Sequence, residues 1–237
     1  MTKTGTVRYD GLADWYDGFH RPHAQAHVAD LVRLLGPGYG RCLDLACGTG
    51  LYAEAIASTG RTVVGLDVSS DQLRLAAGRT RRLVRADAAA LPFGTGTFRT
   101  VTALWMSTDV DDFAAVLAES ARVLEPSGML LFSGVHPCFN GPHTEVRDDG
   151  SRIVHPIYDR PGWHTEAPWW GENVRRKVGM RHVPLAALFN AFTEAGLIID
   201  QVEEPAPQDG SAIPWSLTIR AFRAPITFRI ARPSVDS

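Results

Sequence analysis

The sequence of 237 residues lacks the features that mark secreted, membrane-spanning and zinc-binding proteins. Its three cysteines, Cys42, Cys47 and Cys138, are too few for a disulfide framework, and their spacing matches no zinc motif. No stretch reaches the roughly 18 apolar residues of a membrane span, and the N-terminus has no apolar segment typical of a signal peptide. We therefore expect a cytoplasmic protein with no membrane partner and no metal site.

A strong excess of positive charge is also missing. The chain has 24 Lys and Arg residues against 26 Asp and Glu, which gives a net charge of -2 at pH 7. Proteins that bind nucleic acids generally carry a basic face. The sequence therefore predicts a small-molecule partner and no nucleic acid, and it leaves open whether the protein is a monomer or a homodimer.

What the sequence does contain is a regular alternation of strand-like and helix-like segments. Such alternation is typical of an α/β protein whose mostly parallel sheet is covered by helices on both faces. The predicted strands cover residues 41–46, 61–66, 82–86, 98–104 and 129–135, and the predicted helices between them cover residues 51–58, 70–77 and 111–124.

The whole chain is predicted to form one domain, and the segments around the alternating core complete it. The segment after the fifth strand shows no clear period and holds five histidines and three tryptophans, which is typical of a functional loop. The predicted parts are an N-terminal helical cap over 1–38, with a short helix followed by a second one over 24–35; a cofactor-binding core over 39–135; a substrate-cover insertion over 136–182; a closing helix and strands over 183–223; and a tail over 224–237.

The most specific motif is LDLACGTG at residues 43–50, an apolar strand that runs into a glycine turn and then a helix. Gly48 and Gly50 allow close approach of a ligand, and the following helix N-terminus offers free N–H groups. Asp67 ends the second strand, where a carboxylate can accept hydrogen bonds from ribose hydroxyls. Asp87 follows the third strand at the same edge of the sheet.

The spacing of Gly48, Gly50 and Ala53 also fits the dinucleotide fingerprint, so a nicotinamide enzyme is the main alternative. Asp44 argues against it, because a carboxylate inside the first strand would not help to bind a pyrophosphate. The chain also ends in a helix and two strands where a second mononucleotide-binding half would be expected.

With the residues 65–69 (GLDVS), Asp87-Ala88, 91–93 (LPF) and 122–128 (RVLEPSG), these motifs resemble the class I S-adenosylmethionine-dependent methyltransferases, specifically the small-molecule branch with the LDxxCGTG signature. The resemblance implies a Rossmann-like fold with a seven-stranded sheet, S-adenosyl-L-methionine as cofactor and S-adenosyl-L-homocysteine as product. It implies that the residues around the cofactor are Tyr16, Asp44, Ala46, Cys47, Gly48, Gly50, Asp67, Val68, Asp87, Ala88 and Trp105.

For the methyl acceptor, the resemblance and the chain order indicate residues after the fourth and fifth strands. His136 directly follows the fifth strand and is our candidate for a general base, although a loop-stabilising role explains it equally well. The other predicted substrate-binding residues are Asp109, Tyr158, Trp163, Trp169, Trp170 and His182, of which His182 is also explained as a helix cap.

The predicted function is methyl transfer to a nitrogen, oxygen or carbon atom of a small molecule. The 22 arginines against two lysines suggest a GC-rich bacterial genome, which favours a role in natural-product biosynthesis. Two alternatives are an NAD-dependent Rossmann oxidoreductase and a non-catalytic cofactor-binding protein of the same fold, because a fold does not fix a function.

Overall fold

A computed structural model describes residues 7–171, 174–205, 207 and 212–225 of the chain. Its helices are α1 (Ala13–Leu35), α2 (Ala53–Ser58), α3 (Ser70–Ala76), α4 (Phe113–Val123), α5 (Val174–Val178) and α6 (Leu185–Glu194). Its strands are β1 (Arg41–Leu45), β2 (Thr62–Asp67), β3 (Leu83–Arg85), β4 (Phe98–Leu104), β5 (Leu124–Val135), β6 (Thr144–Val146), β7 (Arg152–Val154), β8 (Gly162–His164), β9 (Met180–His182), β10 (Leu197–Glu203) and β11 (Ser216–Arg223).

Seven strands form one mixed sheet in the order β10-β11-β5-β4-β1-β2-β3. The five strands from β5 to β3 pair in parallel, and β11 pairs antiparallel with both β5 and β10. This confirms the predicted α/β class and the Rossmann-like, seven-stranded, mostly parallel sheet. Because β1, β2 and β4 run in the same direction, Leu45, Asp67 and Leu104 end at one edge of the sheet, where ligands bind in such folds.

Helices cover both faces of the sheet, as predicted. On one face, α4 and α6 pack through Leu117 and Phe192 against the buried side chains of β4 and β5. On the other face, α1 and α2 pack through Leu31 and Ile56 against Cys42 and its neighbours. The near-continuous apolar composition of the central strands follows from this burial on two sides.

The N-terminal region differs from the prediction, because one helix, α1, runs from Ala13 to Leu35 through Pro22. A proline inside a helix removes one backbone hydrogen bond, so a continuous helix through Pro22 needs support from tertiary contacts. Tertiary contacts stabilise α1 on both sides of Pro22. Asp17 binds Arg79 before the proline, and Leu31 is buried in the core after it.

The predicted cover insertion contains regular structure that its irregular sequence did not reveal. Strands β6 and β7 form one antiparallel hairpin, β8 and β9 form an antiparallel pair, and α5 precedes β9. Of the predicted tail over 224–237, Ala224 and Pro225 are described, and the rest lies outside the described residues, as does the start of the predicted N-terminal cap.

Candidate active site

A cavity of about 490 Å³ opens at the edge of the sheet where β1, β2 and β4 end. Of the residues predicted from the sequence, those on its wall are Tyr16, Ala46, Gly48, Asp67, Val68, Asp87, Ala88, Trp105 and Asp109. Residues from the N-terminal segment, α1, α3 and α4 complete the wall. The cavity therefore lies where the motifs placed the cofactor.

The glycine turn after β1 is fixed by its backbone. The φ angles of Ala46, Gly48 and Gly50 are all positive, between 52° and 77°. A side chain at Gly50 would press on Ala76 of α3 at 3.3 Å, so this glycine allows the turn to pack closely against α3. Gly48 faces the cavity, and its N–H donates to Asp67 Oδ2 at 2.9 Å, which ties the turn to the end of β2.

Asp67 is the carboxylate best placed to bind a ribose. Its Oδ1 accepts the N–H of Ser69 at 2.9 Å, and its Oδ2 accepts that of Gly48. Burial raises its pKa above the ordinary value, and these backbone N–H groups oppose the shift. Each oxygen keeps a further lone pair that can accept a ligand hydroxyl.

We expect the variant Asp67→Ala to bind S-adenosyl-L-homocysteine more weakly by about 1.5–3 kcal/mol, the range for hydrogen bonds to a charged group. Because the carboxylate also holds two backbone N–H groups, the variant should lose some stability as well. Calorimetric titration and urea denaturation of Asp67→Ala and Asp67→Asn measure the two effects. If the alanine variant bound S-adenosyl-L-homocysteine as tightly as the wild type, Asp67 would not be a ribose-binding residue.

Asp87 and Ala88 follow β3 and lie on the cavity wall. The Oδ1 atom of Asp87 accepts the N–H of Ala89 at 2.9 Å, which fixes the loop after β3. Ala88 lies on one side of the cavity wall, and Val110 and Val116 lie on the wall as well. Small apolar side chains beside a carboxylate suit a flat heterocycle that carries an amino group, such as adenine.

Three predicted cofactor residues, Asp44, Cys47 and Gly50, are not on the cavity wall. They lie in β1 and in the turn that follows it. Asp44 is buried and accepts a hydrogen bond from Thr102 Oγ1 at 2.9 Å. Burial raises the pKa of Asp44 to about 7. The N–H of Cys47 donates to the carbonyl of Leu66, which joins the turn to β2.

Asp109, on the loop after β4, is the centre of a charged cluster that sequence reasoning missed. Its Oδ1 accepts hydrogen bonds from Tyr9 Oη at 2.8 Å and from Arg175 Nη1 at 2.6 Å. Arg175 also donates to Thr108 Oγ1 at 2.8 Å. Asp109 therefore joins the N-terminal segment to α5 across the mouth of the cavity.

Arg8 strengthens the same junction. It donates to the carbonyl of Asp109, forms an ion pair with Asp111, and lies over the ring of Trp163 at 3.6 Å. The partners are separated by about a hundred residues in sequence, and no local motif points to them.

The structure does not bring His136 to this cavity. The His136 side chain is buried, its Nε2 lies 2.8 Å from Glu204 Oε1, and its Nδ1 accepts the N–H of Cys138 at 3.1 Å. Its ring stacks on Phe139. Both ring nitrogens are therefore engaged, which is the arrangement of a loop-stabilising histidine.

The remaining predicted substrate residues all belong to the cover insertion and are not among the residues on the cavity wall. His182 Nε2 lies 2.7 Å from the carbonyl of Tyr158, whose hydroxyl accepts the N–H of Leu185. Trp169 stacks on His155 with ring centroids 3.6 Å apart. Trp170 is buried, and Trp163 faces Arg8.

Trp105 is the tryptophan that lies at the cofactor cavity. It has a φ of 60°, and its Nε1–H donates to Tyr52 Oη at 2.8 Å. Trp105 lines both the large cavity and a small adjacent cleft, whose wall includes His27 and Ser133. The indole therefore separates the cofactor cavity from this cleft.

Comparisons with known proteins agree with this geometry. A sequence model of the family described as "Methyltransferase domain" matches residues 43–132. A demethylmenaquinone methyltransferase of Bacillus licheniformis is 32% identical over 177 residues, which cover 68% of this chain and 72% of that protein. One from Corynebacterium urealyticum is 41% identical over 99 residues, covering 42% of this chain and 43% of that protein.

A solved structure shows the same fold. The S-adenosylmethionine-dependent methyltransferase from Mesorhizobium loti has a TM-score of 0.67 to this chain at 24% identity, over 82% of this chain and 96% of that one. The chain spans about half the length of most of the curated relatives it matches.

The chain belongs to the methyltransferase domain family, since its match to the Bacillus licheniformis protein extends over more than two thirds of both sequences. The Mesorhizobium loti protein is described as dependent on S-adenosylmethionine, which is the cofactor that the sequence motifs predict for this chain. Within the described residues, no helix has the length and apolar character needed to cross a bilayer, and no cluster of metal-ligating side chains occurs.

Proposed function

We propose that the protein transfers the methyl group of S-adenosyl-L-methionine to a small molecule. The observation that carries this proposal is the charge of the cavity wall, which holds five aspartates, Asp67, Asp87, Asp109, Asp111 and Asp112, and one arginine, Arg8. An acidic wall favours a ligand with cationic sulfonium and ammonium groups and disfavours the pyrophosphate of a dinucleotide. The oxidoreductase alternative is weakened by the same observation.

The protein's contribution is to bind and orient the two reactants. The cofactor supplies an electrophilic methyl group on a positively charged sulfur. The residues that would hold it are Asp67 and the glycine turn for the ribose and methionine parts, and Asp87 with Ala88 for the adenine. Burial raises the pKa of Tyr9 and Tyr16, so both phenols stay protonated at the cavity wall. Fixed orientation of this kind accounts for a large part of the rate in group transfer.

The proposed acceptor is a small organic molecule with a nucleophilic oxygen, nitrogen or carbon. Support comes from relatives that are named demethylmenaquinone methyltransferase. We extend the proposal to natural-product biosynthesis on the basis of the arginine-rich, lysine-poor composition. A cytoplasmic location fits the three free cysteines, and the assembly is proposed to be a monomer or a homodimer.

The cover insertion over 136–182 is proposed to act as a closure over the bound cofactor. Trp163 and Arg175, both in this insertion, contact Arg8 and Asp109 on the cavity wall. His136, Tyr158, Trp169, Trp170 and His182 would then affect the acceptor indirectly, through the packing of the insertion.

A thermal-unfolding panel tests the proposed function. S-adenosyl-L-homocysteine at about 100 times its dissociation constant should stabilise the protein by roughly 2.7 kcal/mol and raise its melting temperature. NAD and NADH, matched in concentration, should leave the melting temperature unchanged. Stabilisation by NADH without stabilisation by S-adenosyl-L-homocysteine would refute the proposal.

A further inference from the structure

The glycine turn after β1 is held at its far end by a side chain that lies outside the cavity. Arg79, which follows α3, donates from Nη1 to the carbonyl of Thr49 at 2.6 Å. Thr49 stands between Gly48 and Gly50 and is buried. Neither Arg79 nor Thr49 is among the residues on the cavity wall, so Arg79 would influence a bound ligand through the turn and not by direct contact.

The guanidinium of Arg79 is itself fixed by Asp17 of α1. Its Nη1 donates to Asp17 Oδ1 at 2.5 Å and its Nη2 donates to Oδ2 at 2.9 Å, a bidentate arrangement that sets the plane of the guanidinium. Arg21, which is 56% exposed, donates to the same Oδ2. The hydrogen bond from Arg79 holds the pKa of Asp17 well below its ordinary value, so the carboxylate is ionised at neutral pH. Arg79 is therefore oriented toward Thr49 by a charged partner on α1.

The turn needs such an anchor because of its glycines. Gly48 and Gly50 have φ angles of 54° and 77°, and glycine loses more conformational freedom than any other residue when it is ordered. The peptide group between Thr49 and Gly50 is bonded at both ends, since its N–H donates to the carbonyl of Cys47 at 2.8 Å and its carbonyl accepts from Arg79. A turn that occupied its binding conformation only part of the time would bind its ligand more weakly in the same proportion.

We propose that Arg79 is a positioning residue for the cofactor: with Asp17 as its support, it holds the Thr49–Gly50 peptide group in the conformation that binds S-adenosyl-L-methionine. This inference rests on the proposed methyltransferase function. The same ion pair also fixes a part of the cavity wall, since Tyr16 on that wall is the neighbour of Asp17 in α1.

The experiment compares the affinity of full-length variants for S-adenosyl-L-homocysteine by calorimetric titration. Arg79→Ala and Asp17→Asn both remove the ion pair, so both should melt at a lower temperature than the wild type. Of these two variants, Asp17→Asn keeps the hydrogen bond to the Thr49 carbonyl. We therefore expect Arg79→Ala to bind about tenfold more weakly, which corresponds to about 1.4 kcal/mol, and Asp17→Asn to bind within about threefold of wild type.

The matched control is Arg74→Ala. Arg74 lies in α3 and also bonds to α1, through Asp14, but its other hydrogen bond goes to Asp71 and not to the turn. Its side chain is 52% exposed, so its loss should leave the affinity within about twofold of wild type. If Arg79→Ala does not fold, Arg79→Lys replaces it. The lysine ammonium keeps the charge without the planar fork that reaches Asp17 and Thr49 together, so this variant should bind more weakly than Asp17→Asn.

A second measurement follows the carbonyl carbon signal of Thr49 by NMR in protein without ligand. The signal should shift in Arg79→Ala much more than in Asp17→Asn, and it should stay in place in Arg74→Ala. An unshifted signal, or wild-type affinity in Arg79→Ala, would overturn the proposal. An equal loss of affinity in Asp17→Asn and Arg79→Ala would also overturn it, because the ion pair and not the contact with the turn would then support binding. Failure of S-adenosyl-L-homocysteine to bind the wild type would instead refute the methyltransferase function itself.

Discussion

Replacement of Asp109 by alanine should lower the free energy of unfolding by about 1.5–3 kcal/mol, the range for loss of hydrogen bonds to a charged group. The side chains of Asp109 and Arg175 are 19% and 18% exposed, and their atoms approach to 2.6 Å. Without the carboxylate, the guanidinium of Arg175 keeps its hydrogen bond to Thr108 but loses its hydrogen bond to Asp109 Oδ1. Tyr9 loses its acceptor at the same time.

The same substitution should loosen the closure over the cofactor. Tyr9 and Arg175 reach Asp109 from the N-terminal segment and from α5, so the carboxylate holds both against the loop after β4. We therefore expect faster dissociation of S-adenosyl-L-homocysteine from Asp109→Ala, measured by stopped-flow displacement, beside the urea denaturation that gives the stability.

Two further variants separate the ion pair from other effects. In Asp111→Ala the lost carboxylate is 52% exposed, so the expected destabilisation is below about 1 kcal/mol. The double variant Asp109→Ala/Arg175→Met removes both charges and should be more stable than Asp109→Ala alone. A double variant that is as unstable as the single one would mean that the cluster acts by packing and not by charge.

The cavity at the sheet edge, where the cofactor is predicted to bind, is largely predictable from the sequence, because local motifs determine its position. The strand, glycine turn and helix of residues 43–58 are contiguous in the chain, and Asp67 and Asp87 follow strands whose common direction is fixed by the alternating pattern. Parallel strands bring their carboxyl ends to one edge whatever their order in the sheet.

The contacts around Asp109 and within the cover insertion could not be predicted in the same way, because they join distant segments. The cluster of Tyr9, Asp109 and Arg175 joins residues more than sixty positions apart. Tryptophan content suggested a pocket wall, but Trp169 packs on a histidine within the cover insertion. The single helix from Ala13 to Leu35 was also not predicted, because the sequence suggested a short helix followed by a second one over 24–35.

The pKa of Asp44 links stability to cofactor binding. Because burial raises this pKa from 3.8 to about 7, the folded protein holds a proton on Asp44 that the unfolded chain has already lost between these two pH values. Stability therefore falls as pH rises from about 4 to 7, by up to about 4 kcal/mol for a shift of this size. The groups that surround Asp44 are Asp67, which adds to the shift, and the thiols of Cys42 and Cys47, whose own pKa values burial raises.

The variant Asp44→Asn should not lose stability in this way as pH rises, because its side chain does not ionise. Its amide oxygen can still accept the hydrogen bond from Thr102, so at pH 5 the variant and the wild type should have similar stability. At pH 8 the variant should be more stable by several kcal/mol, which urea denaturation at the two pH values measures. Equal stability differences at both pH values would show that Asp44 does not titrate between them.

The same variant, although more stable at pH 8, should bind the cofactor more weakly. The resemblance places Asp44 next to the methionine part of S-adenosyl-L-methionine, whose positive charges favour the ionised carboxylate. Binding to the wild type should therefore release a proton near pH 7, which calorimetry in two buffers of different ionisation enthalpy detects, and affinity should rise between pH 6 and 8. Asp44→Asn should bind more weakly at pH 8 and release no proton. If the variant were more stable but kept wild-type affinity, Asp44 would affect the stability of the strand and not cofactor binding.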